Sequence, residues 1–551
     1  MSQMQDVVSS GAEDGGRAPS RAWRWLVYVL LFGLGLGLRI QLAREAYPAR
    51  SDVGHIVHQG VYWAKGVPGA LSSIWPEIPV LLAGLAYRHG LDPAQTLQWF
   101  TVAAGSLIVA LGMVLARRLF GRDEIAWLAG LWMAANPAML NWAVSSQPEP
   151  VFGACLVGAC AVGAPMLCGS GIRWGRLLAA FTLLALGVYF RPLEAMVAAA
   201  AFTGWVFLVH GRTWKPAAGK IAVGLLVYVA LLVPHFALQE SGGGGMKWIN
   251  PRMSNVVLGP RAFDSKFLYS LDSGYEEAIQ EFRRVGAARW LWTHRAEMGR
   301  RYVPNLLAVL RAYSEFAFPQ AFRLGNAWFA ALLLVAAWVG LRGAHWRAAL
   351  FLLLILSAFP LGVSISYIYP KWLVAQLPFL LILLCAFVVL SPGLWSGPWR
   401  KLGWTGLLVL LAGMSARGEF RTHRDEAWIW DNQRAMARWL RQNLPTDAVV
   451  MANSLSLSLE FDLDHPERRI FLPYGTSERV DYWAGERGAT YILLNNREHQ
   501  HWPVHGIIRG EPPPANWTLV KEETFRRDHP VWGPQEDKYL IFRREPPAPV
   551  E

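Results

Sequence analysis

Apolar runs long enough to cross a bilayer recur along most of this 551-residue chain, separated by short polar turns that are often rich in arginine and lysine. A transmembrane helix needs about 17–25 predominantly apolar residues, and about eleven runs are read as spans, the shorter of them as tilted or merged. They lie near 24–41, 94–116, 124–142, 149–168, 176–190, 192–210, 218–238, 325–341, 347–366, 373–391 and 402–416. Backbone polar groups in lipid must find partners within the chain, so these runs are expected as helices. The fold class that follows is a polytopic α-helical membrane protein. Charged residues make up only 17% of the chain, against about 25% in soluble domains, which excludes an ordinary soluble enzyme.

The cations orient the spans. Arg21 and Arg24, Arg117, Arg118 and Arg122, Arg173 and Arg176, Arg212, Lys215 and Lys220, Arg342 and Arg347, and Arg400 and Lys401 fall at alternate span ends. By the positive-inside rule these ends are cytoplasmic. The net charge of +12 therefore reads as topology, and nucleic acid is not an expected partner. The 28 tryptophans suit lipid–water interfaces. Cys155, Cys160, Cys168 and Cys385 lie in or at the ends of apolar runs, so neither a disulfide framework nor zinc spacing is expected.

Residues 1–22 read as a disordered cytoplasmic N-terminus, 23–420 as the transmembrane domain, and 421–551 as a small α/β domain outside the membrane, periplasmic in a bacterium. The first run lacks a small-residue cleavage site and is kept as helix one. Outer loops are expected at 42–93 and 239–324. Within the first, 72–88 is apolar but broken by Pro76 and Pro79, and reads as an interfacial or re-entrant helix. The second opens on the glycine hinge of "SGGGG" and continues as amphipathic helix. The tail carries a helix stopping at Pro445, then the strand-like runs "AVVMAN", "RRIFLP", "TYILLNN", "WTLVKEETF" and "YLIFRRE", with a helix near 476–487. It has no glycine-rich phosphate loop, so a structural or acceptor-docking role is expected.

Candidate chemistry gathers on the outer side. Asp52 follows the first span in "YPARSDVGHIVHQG", with His55 and His58 beside it; Glu149 begins a span in "SSQPEPVF"; Arg191 and Glu194 share the turn "FRPLE"; Lys371 sits in "YIYPKW". Acids at a membrane boundary are functional candidates, although an ordinary solvated loop acid for Asp52, snorkelling for the cations and simple ion pairing for Glu194 are the plainer readings. Asp52, His55 and His58 make a weak metal set, because i and i+6 do not share a helix face. A transporter or lipid flippase would place its acids and broken helices near mid-bilayer; these lie at one edge.

The ordered set of first-loop Asp52, the proline-rich "WPEIPVLLAGLAYRHG", the region "ARRLFGRDEIAWLAGLWMAANPAMLNWAVSSQPEPVF", the turn "YFRPLEAM" and the C-terminal α/β domain resembles GT-C-type membrane glycosyltransferases. The nearest pattern is that of the protein O-mannosyltransferase-like and aminoarabinose-transferase-like enzymes. The resemblance implies a GT-C-like fold and an inverting hexosyl- or pentosyltransferase. It would move a sugar from a polyprenyl-phosphate donor to a lipid, glycan or protein acceptor on the outer face. It also implies Asp52 as general base, with Arg191 and Lys371 on the donor phosphate. Glu149 is then a second acid, positioning substrate or a divalent metal ion; no other cofactor is implied. Relatives often carry Asp-Glu and then Tyr in the first loop, where this chain has Asp52-Val53 and Ile56. A non-catalytic scaffold of the same fold is the alternative that this departure leaves open.

Overall fold

The computed structural model describes residues 20–48, 53–67, 70–72, 76–211, 214–240, 284–318, 325–363, 370–391, 393–452, 464–472, 475–496, 503–529 and 533–545. Its first part is helical: α1 (Arg21–Glu45), α2 (Val53–Ala64), α3 (Glu77–Arg88), α4 (Pro93–Phe120), α5 (Asp123–Ala135), α6 (Pro137–Val144), α7 (Glu149–Leu167), α8 (Trp174–Val188), α9 (Pro192–Val209) and α10 (Trp214–Glu240). There follow α11 (Ala287–Thr293), α12 (Arg295–Ala317), α13 (Asn326–Arg342), α14 (Trp346–Val363), a 3₁₀ segment (Pro370–Gln376), α15 (Leu377–Leu390) and α16 (Pro398–Asn443). Among the described residues, six helical stretches are long and apolar enough to cross a membrane, in α1, α4, α7, α9, α10 and Leu373–Leu390. This is an integral membrane protein.

Local chemistry sets the helix ends. Asp92 accepts from the Gln95 N–H at 3.0 Å with Pro93 at the first helical position, and Gly121 closes α4 in the left-handed region at φ 68°. The run expected over 124–142 is two helices. Pro137 has no N–H, and it forces Asn136 into an extended conformation (ψ 130°). The break orphans the carbonyls of Met133 and Ala134. Arg39 of α1, wholly buried, answers them: its guanidinium donates to Ala134 O at 3.1 Å and Met133 O at 3.2 Å, as well as to Gly35 O at 2.9 Å. The Asn136 side chain caps Met139 N at 3.1 Å and reaches Phe316 O at 2.7 Å, tying the break to α12.

α2 and α3 form a hairpin whose crossing point demands glycine. A Cβ on Gly60 would lie 2.7 Å from the Gly84 nitrogen, and one on Gly84 would lie 2.6 Å from the Gly60 carbonyl oxygen. With 12 residues, α3 rises only about 18 Å, too short to cross the hydrocarbon core.

At the other end, the apolar run 402–416 and the first tail helix are one continuous element. α16 has 46 residues and is about 69 Å long; no proline or glycine cluster interrupts it between Gly418 and Pro445. It leads into a five-stranded mixed sheet of order β2-β1-β3-β5-β4, made of β1 (Val450–Ala452), β2 (Arg469–Phe471), β3 (Tyr491–Asn495), β4 (Trp517–His529) and β5 (Gly533–Arg544). β1 lies parallel to β2 and β3, whereas β5 runs antiparallel to β3 and β4. Strand alternation sorts the two faces. Met451, Ile492, Leu494 and Phe542 pack with Val480 and Ala484 of α17 (Ser477–Glu486), while Val450, Leu493, Tyr539 and Ile541 pack on Met436, Ala437 and Leu440 of α16. The buried Asp537 carboxylate fixes that second face, accepting from Asn432 at 3.0 Å, Asn495 at 2.8 Å and the Tyr539 hydroxyl at 3.1 Å.

Candidate active site

Two helices begin with an acid beside one arginine. Pro150 and Pro192 sit in the first turns of α7 and α9, where a missing N–H costs nothing. This places Glu149 and Glu194 in the N-terminal turns, where the helix dipole favours negative charge. Arg191 caps α9 and spans the two: its Nη2 is 2.9 Å from Glu194 Oε1 and 3.3 Å from Glu149 Oε1. The carboxylates are each 2% exposed and the guanidinium 10%, so this is a desolvated triad, held together because each ion is paired. Glu149 Oε2 is buried and makes no hydrogen bond among the described residues.

The turn leading into α7 is buried throughout, including Ser145, Ser146 and Gln147. Ser146 holds φ at 57°, a conformation that costs a non-glycine residue about 1–2 kcal/mol. Its hydroxyl donates to Ala94 O at 3.3 Å, which anchors the turn to the start of α4. Strain of this kind in a buried polar turn is a mark of functional sites.

Lys371, also buried, lies at the beginning of the 3₁₀ segment. That segment packs on the Glu149 end of α7: a Cβ on Gly153 would sit 3.5 Å from Ala375 Cα. Three of the expected residues (Glu149, Arg191, Glu194) thus form one cluster, and Lys371 enters on an element packed against the same helix. Asp52 lies outside the described residues. The chain on either side of it is placed. Tyr47 stacks on Trp430 of α16 at 4.6 Å between ring centroids, with the Arg434 guanidinium 5.1 Å from the Tyr47 ring. Beyond it, α2 starts at the buried Val53.

No protein-family model matches this sequence, and no curated protein matches it either. The architecture is nonetheless shared. It is similar to that of ArnT from Cupriavidus metallidurans bound to undecaprenyl phosphate, with a TM-score of 0.57 and 14% identity over 94% of this chain and 98% of that one. It is also similar to the archaeal oligosaccharyltransferase AglB from Archaeoglobus fulgidus in complex with an inhibitory peptide and a dolichol-phosphate, with a TM-score of 0.53 and 12% identity over 96% of this chain and 75% of that one. The chain has the GT-C fold.

In this GT-C chain the two first-loop histidines part company. His55 is half-buried, while His58 is buried close to Arg469 of β2. Burial, then the Arg469 charge and His55, push the His58 imidazole down to about 3, so it is neutral at physiological pH. Among the described residues no group of three His, Cys, Asp or Glu is placed to hold a metal ion. An unfolded histidine takes its proton near pH 6.5, and the folded site refuses it until near 3. Stability is full above about 6.5 and falls by up to about 1.4 kcal/mol per pH unit below it. Unfolding temperatures of detergent-purified protein at pH 7.5 and 5.5 should therefore differ, and His58→Leu should shrink the difference. An unchanged pH response in the variant would remove His58 as its source.

The GT-C bundle also holds a buried pair that the sequence reading passed over. Glu77, at the start of α3, meets His235 of α10 at 2.8 Å, both about 1% exposed, with the Tyr189 ring 5.7 Å from the imidazole. The pair fixes the short α3 helix to the bundle beside the Arg191 turn. The signal was available: an acid inside "WPEIP" and a histidine at the end of an apolar run are each costly in lipid unless partnered.

Proposed function

We propose that this protein is a glycosyltransferase that moves a sugar, with inversion, from a polyprenyl-phosphate donor to a hydroxyl or amine acceptor on the outer face of the membrane. The observation that carries this reading is the GT-C fold over 94% of the chain, shared with an ArnT bound to undecaprenyl phosphate. The ion cluster at one end of the bundle supports it. Asp52 takes the proton from the acceptor. The acceptor oxygen or nitrogen attacks the anomeric carbon from the face opposite the phosphate, the carbon–oxygen bond to phosphate breaks, and the polyprenyl phosphate leaves with one more negative charge. A phosphate leaving group departs as an anion, so no general acid is needed; what lowers the barrier is a positioned base and fixed positive charge.

Division of labour follows from the ion pairs. Arg191 is already balanced by Glu149 and Glu194, so its contribution is an oriented fork of donors. Lys371 is the second cation assigned to the departing phosphate. The unbonded Glu149 Oε2 accepts from a sugar hydroxyl or takes a divalent ion. The sheet domain that follows α16 serves acceptor docking on the periplasmic side.

Mass spectrometry of envelope lipids, glycans and glycoproteins tests the reading. Deleting the gene should remove one sugar substituent, and complementation with the wild-type chain should restore it. Lys371→Ala should restore less than about a tenth of it, given the ~10²–10³-fold effect of removing a transition-state charge partner. An unchanged envelope on deletion would point instead to the non-catalytic scaffold.

A further inference from the structure

We propose that a pocket at the opposite end of the bundle binds the phosphate of an anionic phospholipid. Arg21, Arg24, Trp25 and Tyr28 of α1 and Arg117 of α4 line a cavity of ≈ 250 Å³. The carboxylate of Asp123, at the start of α5, lies 3.6 Å from Arg24 Nε and accepts from Arg117 Nε. Three guanidiniums against one carboxylate leave two formal positive charges on the pocket. The Arg24 Nε and the Tyr28 hydroxyl are buried and make no hydrogen bond among the described residues. Snorkelling explains single cations at helix ends. It does not explain three of them converging on a cavity with a buried, unbonded hydroxyl. A phosphate group supplies what is missing: acceptor oxygens for the idle donors and negative charge for the uncompensated guanidiniums.

The pocket is separate from the Glu149 cluster and independent of the glycosyl-transfer reading. Ala94, bonded to the Ser146 turn, and Arg117 lie toward opposite ends of α4, a rise of about 35 Å. The surroundings favour a lipid over dissolved phosphate. Trp25, Leu26, Val29 and Leu30 are 46–63% exposed on α1 next to the pocket, an apolar strip along which acyl chains can lie once the headgroup is seated. A free phosphate would gain nothing from that strip, whereas basic pockets between membrane helices suit anionic headgroups.

The test is native mass spectrometry of the full chain in detergent, titrated separately with dioctanoyl phosphatidylglycerol, dioctanoyl phosphatidylcholine and inorganic phosphate. Phosphatidylglycerol should bind at least about tenfold more tightly than phosphatidylcholine, by the charge-assisted hydrogen bonds to phosphate and the net charge of the site. Arg24→Gln with Arg117→Gln should abolish that preference. Because those two residues also hold Asp123, Arg21→Gln and Tyr28→Phe serve as milder variants. Each should weaken phosphatidylglycerol binding several-fold while the unfolding temperature stays at the wild-type value. Equal binding of the two lipids, or wild-type preference in all the variants, overturns the proposal. Displacement of the lipid by equimolar inorganic phosphate overturns the assignment to lipid and makes the pocket a soluble-anion site.

Discussion

Asp52→Asn is expected to lower the rate of sugar transfer by about 10²–10⁴-fold while leaving the donor KM within a few-fold of wild type. The substitution keeps the size of the side chain and removes the one property the proposed mechanism uses, the capacity to accept a proton at neutral pH. No acid occupies the neighbouring positions Val53 and Ile56. An alcohol acceptor is a poor nucleophile until its proton begins to leave, so the loss should appear in kcat and not in binding. Asp52→Glu restores basicity but shifts the carboxylate by one methylene. A displacement of about 1 Å costs on the order of 10²-fold where geometry is tight, so this variant should recover only part of the rate. The wild-type kcat/KM should also rise with pH through the titration of the base, and that acidic limb should vanish in the asparagine variant. Membrane insertion and unfolding temperature are the controls. Wild-type rates in a folded Asp52→Asn protein would exclude Asp52 as the base and return attention to the Glu149–Arg191–Glu194 cluster.

Much of the helical part is legible in the sequence because lipid leaves so few choices. The apolar runs near 94–116, 149–168, 192–210 and 218–238 coincide with α4, α7, α9 and α10, whose ends are marked by Asp92, Pro93, Pro150, Pro192 and Gly121. Hydropathy alone does not separate a straight span from a broken one. The run 124–142 stays apolar across Pro137, and the break becomes intelligible only when Arg39, far away in sequence, supplies the donors that the break requires. The continuity of α16 was hidden for the opposite reason. The drop in hydropathy after Ser415 marks a change of environment, and a helix can cross it without changing its backbone. Within the site, the Arg191–Glu194 pairing follows from i,i+3 spacing on a helix start. The third partner, Glu149, is brought in by the packing of α7 beside α8 and α9, which no local pattern encodes. Glu77 and His235 show the same limit: their meeting depends on how α3 lies against α10.

Arg39→Met is expected to destabilise the protein by about 3–5 kcal/mol, the largest effect anticipated for any residue remote from the proposed chemistry. A fully buried arginine within a membrane helix is costly unless its donors are used, and here they answer a specific need. In an unbroken helix the Met133 carbonyl would accept from the N–H of residue 137; that residue is proline, and the extended Asn136 turns the following N–H groups away from Ala134. Arg39 supplies both missing donors. Gly35 and Gly105 leave room for it, since Cβ atoms there would lie 3.2 Å from its Nη1 and Nε. Methionine fills the same space but leaves two buried carbonyls unpaired, at about 1–3 kcal/mol each. Arg39→Lys, with a compact ammonium in place of a planar fork, should keep one of the two bonds and fall between. The double variant with Pro137→Ala makes the argument specific. Restoring an N–H at position 137 gives Met133 O a partner of its own, so the double variant should be more stable than the sum of the two single losses, by about 1–2 kcal/mol of coupling. Reversible unfolding in mixed detergent micelles reads these variants together with Pro137→Ala alone, which the cycle requires. If Arg39→Met unfolds within about 0.5 kcal/mol of wild type, the ordinary range for a surface substitution, the guanidinium is not what holds the α5–α6 break together. If the cycle closes additively, Arg39 stabilises the bundle through contacts other than the two orphaned carbonyls.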